Sequence, residues 1–112
     1  MRLRVMHNTN RLATVFGYTP SDQVVEVYAF DYPGSGDHLE VCEVVFTLFN
    51  VGHLSESGSP DPEAVAYREG GNRSLSVGDV VGCDGRFYAC FPEGWREVSQ
   101  PVVTERRPPL WG

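Results

Sequence analysis

Apolar positions alternate with polar ones near the start of the chain, repeat with a helical period in its middle and alternate again towards its end. Residues 2–7, "RLRVMH", place Leu3, Val5 and His7 on one side and Arg2 and Arg4 on the other, the period of a strand. "NTNR" after it reads as a turn, and "TPSD" at 19–22 as another. "QVVEVYAFDY", 23–32, is rich in Val, Tyr and Phe and predicts a second strand. Strict alternation puts Val25, Val27 and Ala29 on one face and Val24, Glu26, Tyr28, Phe30 and Tyr32 on the other. Both faces are partly apolar, which suits a central strand.

In "HLEVCEVVFTLFNVG" the period changes. Leu39, Cys42, Val45, Phe46 and Phe49 recur every three or four residues, with Val41, Val44 and Leu48 widening the stripe, which predicts a main helix over about 37–50. Ser35 or Asp37 can cap its start, and Asn50 and Gly52 mark its end. The segment 53–60 is a polar loop. Asp61 followed by Pro62 opens a short helix over about 61–70, closed by Gly70 and Gly71.

The most regular passage is "RSLSVGDVVGCDGRFYAC", Arg73 to Cys90. Asp84-Gly85 between apolar runs predicts a hairpin with a type I′ turn. In that register Cys83 faces Arg86, Gly82 faces Phe87, Val81 faces Tyr88 and Val80 faces Ala89. Val80, Phe87, Ala89 and Phe91 read as the core face, with Phe87 lying over Gly82. Val81, Cys83, Arg86, Tyr88 and Cys90 take the second face. There Cys83 and Cys90 stand on the order of 13 Å apart at strand spacing, too far for a disulfide. "PEGWREV", 92–98, adds a turn and a last strand with Trp95. The fold class that follows is α+β: one small domain over 1–98, an antiparallel sheet ending in a β-meander and packed on one main and one short helix. Residues 99–112, "SQPVVTERRPPLWG", read as a Pro/Arg-rich extended tail. Trp111 is its apolar anchor, able to dock on its own domain, on a second copy or on nothing, so a homodimer is one arrangement open to it.

Composition narrows the function classes. The 112 residues suffice for one domain, which at this size buries roughly 65% of the surface of its unfolded chain. The formal net charge is -6, and all 9 basic residues are arginine. An acidic balance speaks against a general nucleic-acid binder. No apolar run is long enough for a membrane span, and "MRLRVMHNTN" has no apolar signal core. Cys42, Cys83 and Cys90 form no CxxC pair, so neither a zinc site nor a disulfide framework is expected, and reduced thiols fit the cytoplasm.

Candidate chemistry is sparse. His7, His38 and His53 show no metal-ligand spacing, and no nucleophile motif surrounds a cysteine, so neither a catalytic residue nor a cofactor is expected. Asp79, after a glycine and before a strand, is expected to fix a turn by accepting backbone N–H bonds. In "GGNRSLS" Asn72, Arg73, Ser74 and Ser76 form a polar cluster that either recognises an anion or ties the loop to neighbouring backbone. Arg86, Tyr88 and Trp95 complete the candidate binding set, the aromatics as a stacking platform on the meander.

Arg73–Trp95 also resembles the YodL-like domain of small bacterial proteins. The resemblance rests on Arg73-Ser74-Leu75-Ser76, the Val77-Gly78-Asp79-Val80-Val81 strand, the Phe87-Tyr88 pair and Gly94-Trp95. "ACFPEG" departs from it where the pattern has a polar, acidic turn. "LFNVG" and "YREGGNRS" look like further parts of such proteins in high-GC actinobacteria. The family occurs on phages and mobile elements, sometimes beside antirestriction-type domains, and brings no catalytic residues to transfer. The resemblance implies a non-enzymatic interaction or accessory protein with a protein partner. The alternatives are a nucleic-acid-binding module using Arg73, Arg86, Tyr88 and Trp95, an acidic antirestriction-like DNA mimic, and an enzyme using Cys83 or Cys90.

Overall fold

A computed structural model of the protein describes residues 1–33, 36–49 and 62–104. Six strands and three helices follow one another as β1 (Arg2–Asn8), α1 (Ala13–Phe16), β2 (Gln23–Asp31), α2 (His38–Leu48), α3 (Pro62–Glu69), β3 (Val80–Cys83), β4 (Arg86–Phe91), β5 (Gly94–Val98) and β6 (Val102–Thr104). The strands form one sheet in the order β5-β4-β3-β1-β2-β6. All neighbours are antiparallel except β2 and β6, which run parallel. The fold is α+β, as the sequence predicts.

Helices α2 and α3 cover one face. Their Val41, Cys42, Val45, Phe49 and Tyr67 pack on Leu3, Val5, Phe30, Val81, Cys83, Tyr88, Cys90 and Trp95. Tyr67 stacks on Phe49 with ring centroids 4.4 Å apart and meets Tyr28 edge-on at 5.8 Å. Such aromatic pairs each contribute about 1 kcal/mol beyond the area they bury. Asp37 caps α2, accepting from the Leu39 N–H at 3.1 Å. Leu39 and Val44, expected within the apolar stripe, stay exposed: the buried stripe is narrower, centred on Val41, Cys42, Val45 and Phe49. Ser35, Asn50, Gly52, His53, the 53–60 loop and Asp61 lie outside the described residues.

The other face carries a smaller cluster of Met6, Tyr18, Val24, Val80, Phe87 and Ala89. Both faces of the hairpin are therefore buried. The second face, with Val81, Cys83, Tyr88 and Cys90, carries the larger core because the helices pack there. Val24 also changes face. Pairing steps from Val5–Tyr28 to Met6–Glu26, skipping Val27, and this bulge reverses the alternation along β2.

The hairpin has the predicted register, residue for residue. Asp84 and Gly85 both hold positive φ, 49° and 86°, as a type I′ turn requires. A Cβ at Gly82 would lie 3.5 Å from the Phe87 ring, the expected cover. Nothing lies within 4 Å of a Cβ at Gly85. Gly85→Val is therefore expected to cost backbone strain alone, about 1–2 kcal/mol, read as a lower midpoint in thermal unfolding. An unchanged midpoint would show that the turn relaxes.

Residues 102–104, expected in the extended tail, instead form the edge strand β6, paired with Gln23–Val25. "PVVT" is too short and too near prolines to announce a strand alone; the exposed edge of β2 supplies its partner. Residues 105–112, Trp111 included, lie outside the described residues. No helix among the described residues is long and apolar enough to cross a membrane.

Candidate functional site

The turn leading into β3 brings Arg73, Ser76 and Asp79 together. Arg73 grips Asp79 with both arms of its guanidinium, Nη1 to Oδ2 at 2.7 Å and Nη2 to Oδ1 at 2.8 Å. The Asp79 side chain is 1% exposed and that of Arg73 46%. The carboxylate also accepts from the backbone N–H of Asn8 and of Ser76, each at 2.9 Å. One buried carboxylate thus joins the turn, the Arg73 loop and the end of β1. The same hydrogen bonds from Arg73 hold its guanidinium pKa above the ordinary value. Arg73 Nη1 donates also to the Ser74 carbonyl at 3.0 Å, and the Tyr67 hydroxyl donates to the Arg73 carbonyl at 2.6 Å. The expected turn-fixing role of Asp79 and loop-tying role of Arg73 are both present in the geometry.

A second buried carboxylate braces the opposite side. Asp22 accepts from Asn10 Nδ2 at 2.9 Å, Asn8 Nδ2 at 3.1 Å and the Thr19 N–H at 3.0 Å. Burial pushes its pKa up, but these hydrogen bonds from Asn10, Thr19 and Asn8 outweigh it and hold the group below the usual carboxylate range. A carboxyl so depressed stabilises the fold above its unfolded pKa, near 3.9, and loses that contribution as pH falls through its folded value. Asp22→Asn is therefore expected to destabilise by about 1–2 kcal/mol at neutral pH. Urea melts across the acid range should show the gap between variant and parent shrinking below about pH 4; a pH-independent gap would contradict the assignment.

Between these anchors opens a cleft of about 260 Å³, lined by Asn8, Asn10, Arg11, Thr14, Arg73 and Ser76 among others. Arg2, Arg4, Arg73, Arg86 and Arg96 each pair with a carboxylate. Arg11 has no such partner among the described residues. Beside it Leu12, at the N-cap of α1, and Val15 and Phe16 on α1 are 62%, 64% and 74% exposed, while Ala13 is buried.

The other candidate residues do not join this cleft. Arg86 sits at the hairpin turn, 3.5 Å from Glu97. Tyr88 is buried under α2, its hydroxyl 2.8 Å from His38 Nδ1. Trp95 is buried edge-to-face against Phe46 at 6.2 Å. Neither ring offers an open stacking face, which corrects the expected platform. Cys83 and Cys90, on the hairpin's second face, are buried, as is Cys42 on the apolar face of α2. The Cys42 thiol is pushed up by its hydrogen bond to Cys83 and by burial. Burial, with the charges of Asp79 and Glu43, pushes Cys90 up to about 11, so this thiol is held protonated at neutral pH. No three His, Cys, Asp or Glu side chains among the described residues are grouped to hold a metal.

In the sequence Asn8, Asn10, Arg11 and Asp22 show only as parts of the turns at "NTNR" and "TPSD", and Thr14 and the α1 face show no signal. A pair of asparagines two residues apart is the one local signal, since both can tie a turn to a carboxylate. No family model matches the chain, and neither a curated protein nor a solved structure matches it.

Proposed function

We propose that the protein is a non-enzymatic interaction module that engages a protein partner through the α1 face. The observation that carries this reading is the exposure of Leu12, Val15 and Phe16 beside Arg11, which has no carboxylate partner among the described residues. Three large apolar side chains on one short helix and its N-cap favour association when a partner removes them from water. Their footing is firm, because Ala13 is buried and the loop is braced through Asn8, Asn10 and Asp22. In a chain of net charge -6, an arginine at the patch with no carboxylate partner among the described residues selects a partner that presents an acidic side chain next to an apolar surface. The likeness of Arg73–Trp95 to YodL-like domains supports an accessory role in a bacterial phage or mobile element.

The test is site-specific photo-crosslinking from Val15 in lysate of the source cell. One discrete adduct is expected, competed away by excess unlabelled protein but not by the Leu12→Ser/Phe16→Ser or Arg11→Glu variants. An adduct at twice the chain's own mass would identify a second copy as the occupant. Absence of any competed adduct, or equal competition by the variants, would overturn the reading.

A further inference from the structure

Arg11 and Arg73 line one cleft, that of about 260 Å³ beside the Asp79 turn. Its acceptors are already filled. Asn8 Oδ1 accepts from the Asn10 N–H at 2.8 Å, and Asn10 Oδ1 from the Leu12 N–H at 3.1 Å. Asp79 Oδ1 accepts from the Asn8 N–H and Arg73 Nη2, and Oδ2 from the Ser76 N–H and Arg73 Nη1. The Ser76 hydroxyl accepts from Arg73 Nη1 at 3.3 Å, and the Thr14 hydroxyl donates to the Arg11 carbonyl at 2.9 Å. Donors are in surplus. Arg11 has no carboxylate partner among the described residues. The bonds of Arg73 run from Nη1 and Nη2 and do not use its Nε–H. Asn10 Nδ2 gives one hydrogen to Asp22 and carries a second.

We propose that this cleft binds a carboxylate group. A ligand made only of acceptors suits a lining with filled acceptors and spare donors, whereas an ammonium would find nothing there to accept its hydrogens. The planar fork of Arg11 can meet both oxygens of a carboxylate at once. Charge decides among oxyanions. Asp79 offsets Arg73, so the lining keeps one net positive charge, that of Arg11. One carboxylate balances it, and a phosphate dianion would bring a second negative charge into a chain of net charge -6. The group belongs either to a free carboxylic acid or to the partner that docks on the α1 face; in the second case the proposal rests on that reading.

The experiment titrates the isotope-labelled full chain with N-acetyl-glutamate α-methylamide, whose single charge is its side-chain carboxylate. Ionic strength is held constant so that screening does not change. Saturable shifts are expected in the backbone amides of Asn10, Arg11 and Ser76 and in the arginine Nε–H signals. N-acetyl-glutamine α-methylamide, of the same shape without the charge, should give none. Arg11→Gln should weaken the glutamate compound at least about tenfold, as loss of a close charge partner does. Arg11 is exposed, so unchanged amide signals elsewhere will show that the fold is kept. Inorganic phosphate at mildly alkaline pH, where it is a dianion, should bind no tighter. The Val15 crosslinking reaction separates the two sources: the glutamate compound should suppress the adduct where the partner supplies the carboxylate, and leave it intact where a free acid does. The titration needs no partner, so its failure strikes this site and leaves the α1 face to the crosslinking test. An equal response to the glutamine compound, no saturable response to the glutamate compound, undiminished affinity in Arg11→Gln, or tighter binding of phosphate would overturn the proposal.

Discussion

Asp79→Ala is expected to lower the unfolding free energy by about 3 kcal/mol, close to the cost of breaking a buried charge pair. The side chain is 1% exposed and accepts from three separate segments, so its removal strands several donors at once. The Asn8 and Ser76 N–H groups lose their acceptor inside the fold, and Arg73 loses both arms of its fork. Arg73→Gln should cost less, about 1 kcal/mol, because the guanidinium is nearly half exposed and its pairing is screened by water. The carboxylate would keep its two backbone donors. The ordering is the test: urea unfolding should place Asp79→Ala well below Arg73→Gln. Equal losses would mean that the ion pair, rather than the backbone bonds, carries the stability.

This turn was legible in the sequence because its parts are close together. Arg73, Ser76 and Asp79 fall within seven residues, and an aspartate between a glycine and a strand has few local roles. The hairpin was legible for the same reason: Asp84-Gly85 sets the backbone angles and the register follows. What failed was long-range. Periodicity divides Val80, Phe87 and Ala89 from Val81, Tyr88 and Cys90, but it does not say which face the helices will cover. That choice decided whether Tyr88 and Trp95 were surface or core. The bulge at Val27 is equally silent in sequence, and it reversed the face of Val24. Strand β6 depends on a parallel edge 79 residues earlier in the chain, from Val102 to Gln23. The α1 face escaped notice because "RLATVF" is too short for a period, and only the structure shows Ala13 alone turned inward.

Ala13 is also the reason to expect a large effect at Gly78. Gly78→Ala should destabilise by about 3 kcal/mol or more, combining backbone strain with overpacking. Gly78 holds φ at 97°, which an L side chain rarely adopts. A Cβ there would stand 2.6 Å from the Ala13 Cβ and 2.9 Å from the Ala13 carbonyl oxygen. The residue cannot shift easily. Its N–H donates to the Cys90 carbonyl at 2.8 Å, and its own carbonyl accepts from Asn8 Nδ2 at 2.9 Å. Gly85→Ala is the matched control, since it shares the positive φ at 86° but meets nothing within 4 Å. The difference between the two variants in chemical denaturation therefore isolates the collision from the strain. Adding Ala13→Gly to Gly78→Ala should recover part of the loss, because it removes the Cβ contact and leaves the carbonyl contact. Such non-additivity is the signature of direct contact between two positions. Purely additive losses, or a Gly78→Ala variant no weaker than Gly85→Ala, would show that α1 does not rest on the turn that carries Asp79.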